Sequence, residues 1–341
     1  MCWFCMLLTI LILLFSSQTM AAAQQAAMVF MRSVMPALFP MMIIGGLITH
    51  YSPVVRTRTR VYIFQIIFGF CTGSPASTRQ LATVAEHHHI QDYRNLLCMS
   101  GVMSPMFFTG ALASYMGKTT ALMILLCHWV AAILTGLLYA RTAHGKRRDT
   151  FPQMKTKQAH SPVLTQSSFT ALPAIIRDTA MAQLSILGTM ITFSILASVF
   201  RELLLLLFPV WTANHGSWLN VGWALMEIGG GTMALLDGNP SVYPWLICGL
   251  CSFGGLSIWQ QNLLFLNPKV HPVELLCFRI LHGVIAMILS FFVFRWFPAQ
   301  PALSQVFAVQ AQITSVAAST TSMLALLLLI ALAVPSRRPL T

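Results

Sequence analysis

The chain has 341 residues, of which 57% are hydrophobic and only 8% are charged, whereas an ordinary soluble domain is roughly a quarter charged. So few polar side chains cannot clothe a water-facing surface, which excludes a soluble globular protein. The formal charge of +12 does not point to nucleic acid, because the cations gather in short loops between apolar stretches.

From the N-terminus, the run at 2–15 is apolar but lacks the basic n-region of a secretory signal. Residues 1–27 therefore read as a membrane anchor, with a cleaved signal as the alternative. Stretches near 28–50, 93–116, 119–140, 172–208, 219–236, 243–266, 272–297 and 312–334 each approach the roughly 20 residues a bilayer crossing needs, and a shorter one lies at 61–73. The expectation is an all-α, polytopic membrane protein. Three basic clusters punctuate it: Arg56, Arg58 and Arg60; then Arg141, Lys146, Arg147, Arg148, Lys155 and Lys157; then Arg337 and Arg338. The positive-inside rule assigns all three to the cytoplasm. The eight cysteines mostly lie inside apolar runs and read as small hydrophobes. Cys2/Cys5 and Cys248/Cys251 have C-x-x-C spacing, but a zinc site normally needs further ligands. His87, His88 and His89 read as a solvated patch, and no metal, cofactor or enzymatic constellation is expected.

The chain also repeats itself, at a spacing of about 155 residues. The helix at 36–45, rich in small residues, is roughly matched at 183–192. Phe70, Gly73 and Pro75 are matched by Glu227, Gly230 and Thr232. Gly101, Ser104 and Pro105 are matched by Gly254, Ser257 and Ile258, and His128 precedes Arg141 by the same interval as His282 precedes Arg295. The divisions are a first repeat at 28–140, a basic cytoplasmic linker at 141–171, a second repeat at 172–297, and a C-terminal transmembrane helix and tail at 298–341. Parity then orients the repeats. With every segment crossing, three would separate the cluster at Arg56 from the linker and five the linker from Arg337, which puts cytoplasmic clusters on opposite sides. One segment per half must enter and return, and the halves come out inverted. Inverted repeats with paired re-entrant or broken helices are a secondary-transporter signature.

The breaks carry the candidate site. Thr72, Gly73, Ser74 and Pro75 interrupt an apolar run; irregular backbone at membrane depth survives only where protein or a wet cavity serves its polar groups. Pro75 suits a helix start, Ser74 can cap it, and Arg79 lies one turn on, so an anion could be held there. The alternative is a kinked helix with Arg79 snorkelling to the headgroups. Glu227 lies inside an apolar stretch just before Gly229, Gly230 and Gly231. A carboxyl at that depth is a functional candidate, for a coupling proton, a cation or a substrate donor; a structural hydrogen bond is the alternative. Gln260 and Gln261 follow the break at Gly254, Gly255 and Ser257 and suit the reading of polar substrate groups. Arg279 and His282 share a helix face, with Arg279 a counter-ion for an anionic substrate or for Glu227. Glu274 reads as interfacial, and His128 and His282 as helix-packing hydrogen bonders.

Phe68-Gly-Phe70 with Gly73-Ser-Pro-Ala-Ser77, Ser104-Pro105-x-Phe107, Glu227 with its glycine cluster, and Phe253-Gly-Gly-Leu-Ser-Ile-Trp-Gln-Gln261 together resemble the sporulation integral membrane proteins with nucleoside-recognition (gate) domains. The resemblance covers about residues 28 to 297. It implies a bacterial cell-membrane protein of spore formers, distantly similar to concentrative nucleoside transporters, and its nearest branch implies export of dipicolinic acid across the outer forespore membrane. It further implies that the two gate regions and Glu227 line the substrate path and that Gln261 matches the family glutamine. Departures fall at Ser74, Gly101, Ser104 and Trp259, where the family tends to carry other polar groups, so they bear on the substrate. The expected partners are the lipid bilayer and a small organic anion, alternatively a nucleoside or nucleobase, or no solute at all in a membrane protein of spore-envelope assembly. The substrate-binding set is Thr72, Gly73, Ser74, Arg79, Ser104, Glu227, Gly254, Gly255, Ser257, Gln261 and Arg279.

Overall fold

A computed structural model describes residues 2–51, 58–88, 93–143, 168–214, 216–238, 243–266 and 270–298. All secondary structure among them is helical, as the composition predicts. Helices α1 (Cys2–Leu14) and α2 (Ser16–Val29) lead through a π-helical turn (Phe30–Val34) into α3 (Met35–Tyr51). Then come α4 (Arg58–Thr72), α5 (Ala76–His88) and α6 (Tyr93–Ser100), a second π-helical turn (Phe107–Leu112), α7 (Ala113–Met116) and α8 (Lys118–Ala143). The rest comprises α9 (Ser168–Leu207), α10 (Pro209–Asn214), α11 (Gly216–Met226), α12 (Ile228–Gly238), α13 (Pro244–Phe253), α14 (Gly255–Phe265) and α15 (Pro272–Trp296).

Among the described residues, three helical segments are long and apolar enough to cross a membrane, Lys118–Arg141, Ala171–Leu207 and Pro272–Trp296. A fourth span results if Cys5–Leu14 and Ser16–Val34, bent by 93°, count as one. Among the described residues, fewer continuous helices reach spanning length than there are apolar stretches, and the reason is local. The stretches near 93–116, 219–236 and 243–266 are each divided, at 101–104, at Glu227 and at Gly254, where glycine or an internal acceptor releases the chain from the helical ladder. Hydropathy alone does not register such a break. The stretch at 312–334, the cluster at Arg337 and Arg338, most of the linker at 141–171, Arg56 and His89 lie outside the described residues.

Sequence explains the packing of the long helices. On α2, Thr19, Ala22 and Ala26 are buried at helical spacing, a strip of small residues that lets α9 lie close. α13 opens with Pro244 and closes on Gly254 in the left-handed conformation, the usual proline-in, glycine-out asymmetry. It runs against α15 through Gly249 and Gly283: a Cβ on Gly283 would sit 3.0 Å from the Gly249 carbonyl oxygen. α15 starts at Pro272, capped by the His271 ring, which accepts from the Val273 N–H at 3.3 Å.

Three buried apolar clusters result. One joins α8, α11, α12, α13 and α15 around Ile124, Ile247 and Ala286. The second holds α2 and α3 on α9 around Phe30 and Ile186. The third lies under α4, α5 and α6 around Leu81, Leu96 and Leu275. Facing outward, α8 exposes Leu122, Leu126, Val130 and Leu137, and α15 exposes Ile280, Val284, Ile288 and Phe292. Apolar surface this continuous fits a lipid environment, so the protein is consistent with a membrane-embedded one.

Candidate functional site

Four interruptions of the helical ladder meet in the interior, in two crossed pairs. At the first, Thr72 ends α4 with its hydroxyl donating to the Phe68 carbonyl at 2.8 Å. Gly73 follows at φ +75°, and a cis Ser74–Pro75 peptide precedes α5. The Ser74 N–H donates to the Val102 carbonyl of the second interruption. The two backbones are in direct contact: a Cβ on Gly73 would lie 2.2 Å from the Ser104 nitrogen, and one on Gly69 would lie 2.6 Å from the Ser100 oxygen. Gly69 on α4 and Gly73 just beyond its end, four residues apart, thus form a small-xxx-small seat for the 100–104 segment.

The second pair is built around Glu227. Its backbone continues α11 through an N–H donated to the Trp223 carbonyl at 2.7 Å. Its side chain folds forward over the start of α12, where Oε1 accepts from Gly229 N–H at 2.9 Å and Oε2 from Gly230 N–H at 2.6 Å. The carboxylate therefore satisfies two amides that a helix start leaves without partners, and its charge complements the positive end of the α12 dipole. The structural alternative is present in a specific form, as a helix cap rather than a bond across helices. Gly254 and Gly255, at φ +82° and +74°, form the fourth interruption. A Cβ on Gly255 would sit 3.2 Å from both the Ala224 oxygen and the Ile228 nitrogen, so this turn rests on the Glu227 turn.

Between the pairs lies a cavity of about 680 Å³, within the size range of small-molecule sites. It brings together Ser74, Ser104, Glu227, Ser257 and Gln261 of the expected set. Thr72, Gly73, Gly254 and Gly255 stand behind the wall and shape it. Arg279 also stands behind: it is 5% exposed, and its Nη2 donates to Ser74 Oγ at 3.0 Å. The Ser74 hydroxyl is thus engaged with Arg279, and with Thr78 Oγ1 at 3.4 Å. Glu274, read as interfacial, pairs with Arg94 at 3.2 Å and accepts from the Tyr139 hydroxyl at 3.0 Å.

Arg79 is not part of the cavity wall; it is half-buried on α5, where Asp178 of α9 is close enough to act on its charge. A different cation is. Arg32, exposed in the first π-helical turn, lines the cavity together with Ser33 and Val34. Sequence reading passed over it, although a lone arginine between Phe30-Met31 and Val34-Met35 meets the same criterion that singled out Glu227. Gly69-xxx-Gly73 is a signal of the same kind, legible in the sequence as a small-xxx-small spacing.

The two histidines tie the halves of the chain together. Met103 N–H donates to His128 Nε2 at 2.9 Å, and an amide can only donate, so the ring proton is on Nδ1. Nδ1 then donates to Ser252 Oγ at 2.7 Å. His282 Nε2 lies 3.0 Å from the His128 carbonyl, which can only accept, and the two rings stack at 4.7 Å between centroids. His128 therefore bridges the 101–104 interruption and the end of α13, two residues before Gly254, in keeping with a packing role. Comparison with known proteins finds no matching family model, no matching curated protein and no matching solved structure.

Proposed function

We propose that the protein is a membrane transporter of a small organic anion, working by alternating access between two inverted halves. The observation that carries the reading is the meeting of four broken helices around one cavity. Helix interruption leaves backbone groups exposed, and in lipid that is tolerated only where protein or water satisfies them; here each break is supported by its crossed partner and four of them face or flank the same space. The order of the breaks is the same in each half: α4 and α6 precede the continuous α8, and α11 and α13 precede the continuous α15. This supports the duplicated design. Dipicolinate is the first candidate solute, on the strength of the motif resemblance. A nucleoside is the second reading, favoured by the amide of Gln261 and the hydroxyls of Ser104 and Ser257 on the wall, which suit an uncharged polar ring.

Proteoliposomes loaded with labelled dipicolinate or labelled uridine decide between them. Uptake of dipicolinate is the expected result; uptake of uridine alone establishes the second reading, and uptake of neither favours a structural role in the membrane. Glu227→Gln keeps the side-chain shape but turns one of two acceptors into a donor facing an amide, which costs about 1–3 kcal/mol at a buried site. It is expected to reduce uptake about tenfold or more, measured on protein that remains monodisperse. Uptake by this variant at the wild-type rate would detach Glu227 from the solute path.

A further inference from the structure

The cavity wall is electrically lopsided. Only Arg32 and Glu227 among its described lining residues carry charge. Both Glu227 oxygens accept backbone N–H groups of Gly229 and Gly230, so its charge is already met by the start of α12. Arg32 has no ion-pair or hydrogen-bond partner among the described residues, and a second guanidinium, Arg279, stands behind Ser74. The fork of a guanidinium without a partner matches a carboxylate in bidentate fashion.

A second, independent feature lies on the wall of the same cavity. Ser257 is 1% exposed, lines the cavity, and its hydroxyl has no hydrogen-bond partner among the described residues. It sits in the first turn of the eleven-residue helix α14, with Gln261 one turn further along the same wall. A buried hydroxyl without a partner costs about 1–3 kcal/mol, and a ligand that supplies one recovers it. The rest of the wall is mainly apolar and includes Met103, Phe107, Ile228 and Ile258.

We infer that Arg32 and Ser257 are the two anchors of a site for a small organic carboxylate that has an apolar ring or chain in its middle and a hydrogen-bonding group at its far end. The carboxylate pairs with Arg32, the middle packs on the apolar wall, and the far group exchanges hydrogen bonds with Ser257 and the Gln261 amide. The inference rests on reading the cavity as an anion site, but not on transport.

The test is equilibrium binding to the purified full-length protein in detergent, with 4-hydroxybenzoate, 4-hydroxybenzamide and benzoate as probes. 4-Hydroxybenzoate is expected to bind about tenfold or more tightly than 4-hydroxybenzamide, since a charge-assisted pair exceeds a neutral one by that margin. Arg32→Gln is expected to abolish this preference and Arg32→Lys to retain part of it. Ser257→Ala is expected to erase the advantage of 4-hydroxybenzoate over benzoate while leaving the preference for charge. Wild-type protein that ignores 4-hydroxybenzoate, or an Arg32→Gln protein that keeps the charge preference, overturns the inference. Binding that follows this pattern without any dipicolinate uptake by proteoliposomes supports the inference and removes the transport reading. Uptake of dipicolinate by Arg32→Gln at the wild-type rate removes the inference and leaves transport in place.

Discussion

Gly73→Ala is expected to destabilise the protein by about 2–5 kcal/mol, combining roughly 1–2 for a left-handed residue that gains a Cβ with roughly 1–3 for overpacking. The overlap cannot be relieved by a side-chain rotation, since the atoms a Cβ would meet are the Ser104 nitrogen at 2.2 Å and its Cα at 2.3 Å. The two backbones must separate, and the Ser74 N–H then loses the Val102 carbonyl. Gly110→Ala is the matched comparison: its Cβ meets nothing within 4 Å, so the change should be close to neutral or slightly favourable through helix propensity. Denaturation of both variants in the same detergent measures the difference. Equal stability of Gly73→Ala and wild type would mean that the 72–75 and 101–104 segments are not in contact.

His128→Leu is the second large effect. It strands a Met103 N–H and a Ser252 hydroxyl in a site without solvent, at about 1–3 kcal/mol each, and removes the stack on His282. The loss must be coupled to its partner if the bridge is real. In a double-mutant cycle, Ser252→Ala should be destabilising in the wild-type background and nearly neutral once His128 is leucine, a coupling of about 0.5–3 kcal/mol. Additive effects would show that the His128–Ser252 bond contributes nothing. Because His128 touches the second interruption on one side and α13 on the other, the same variant should also alter any activity that requires the two halves to move together.

Much of this was legible in residue types. An apolar chain with few charges has little choice but helices, and Gly73, Pro75, Gly101, Gly254 and Gly255 announce where those helices stop, since glycine and proline act on the backbone itself. Five of the expected site residues share one wall for that reason. The charges were harder. Glu227 reads from sequence as a carboxyl free for protons or cations, yet the residues that follow it are glycines whose amides are open to it, and it turns back to cap α12. Arg79 and Arg32 cannot be ranked by hydropathy, because which one reaches the cavity depends on how α5 and the Phe30–Val34 turn are rotated, and rotation is decided by packing. Arg279 is similar: its place behind Ser74 depends on a contact between residues 205 positions apart. Apolar length does not distinguish one helix from two short ones joined at a break, as at 101–104, Glu227 and Gly254.

The central claim, that the four broken helices enclose a solute-accessible cavity, is tested most directly by thiol accessibility in intact membranes. In a background freed of reactive native cysteines, Gly110→Cys and Ser114→Cys place thiols on the cavity wall, whereas Leu126→Cys places one on the exposed apolar face of α8. The account predicts that a charged, membrane-impermeant thiol reagent modifies the first two and not the third, and that an organic carboxylate slows the modification. Failure of the reagent to reach both Gly110→Cys and Ser114→Cys, from either side of the membrane, would contradict it.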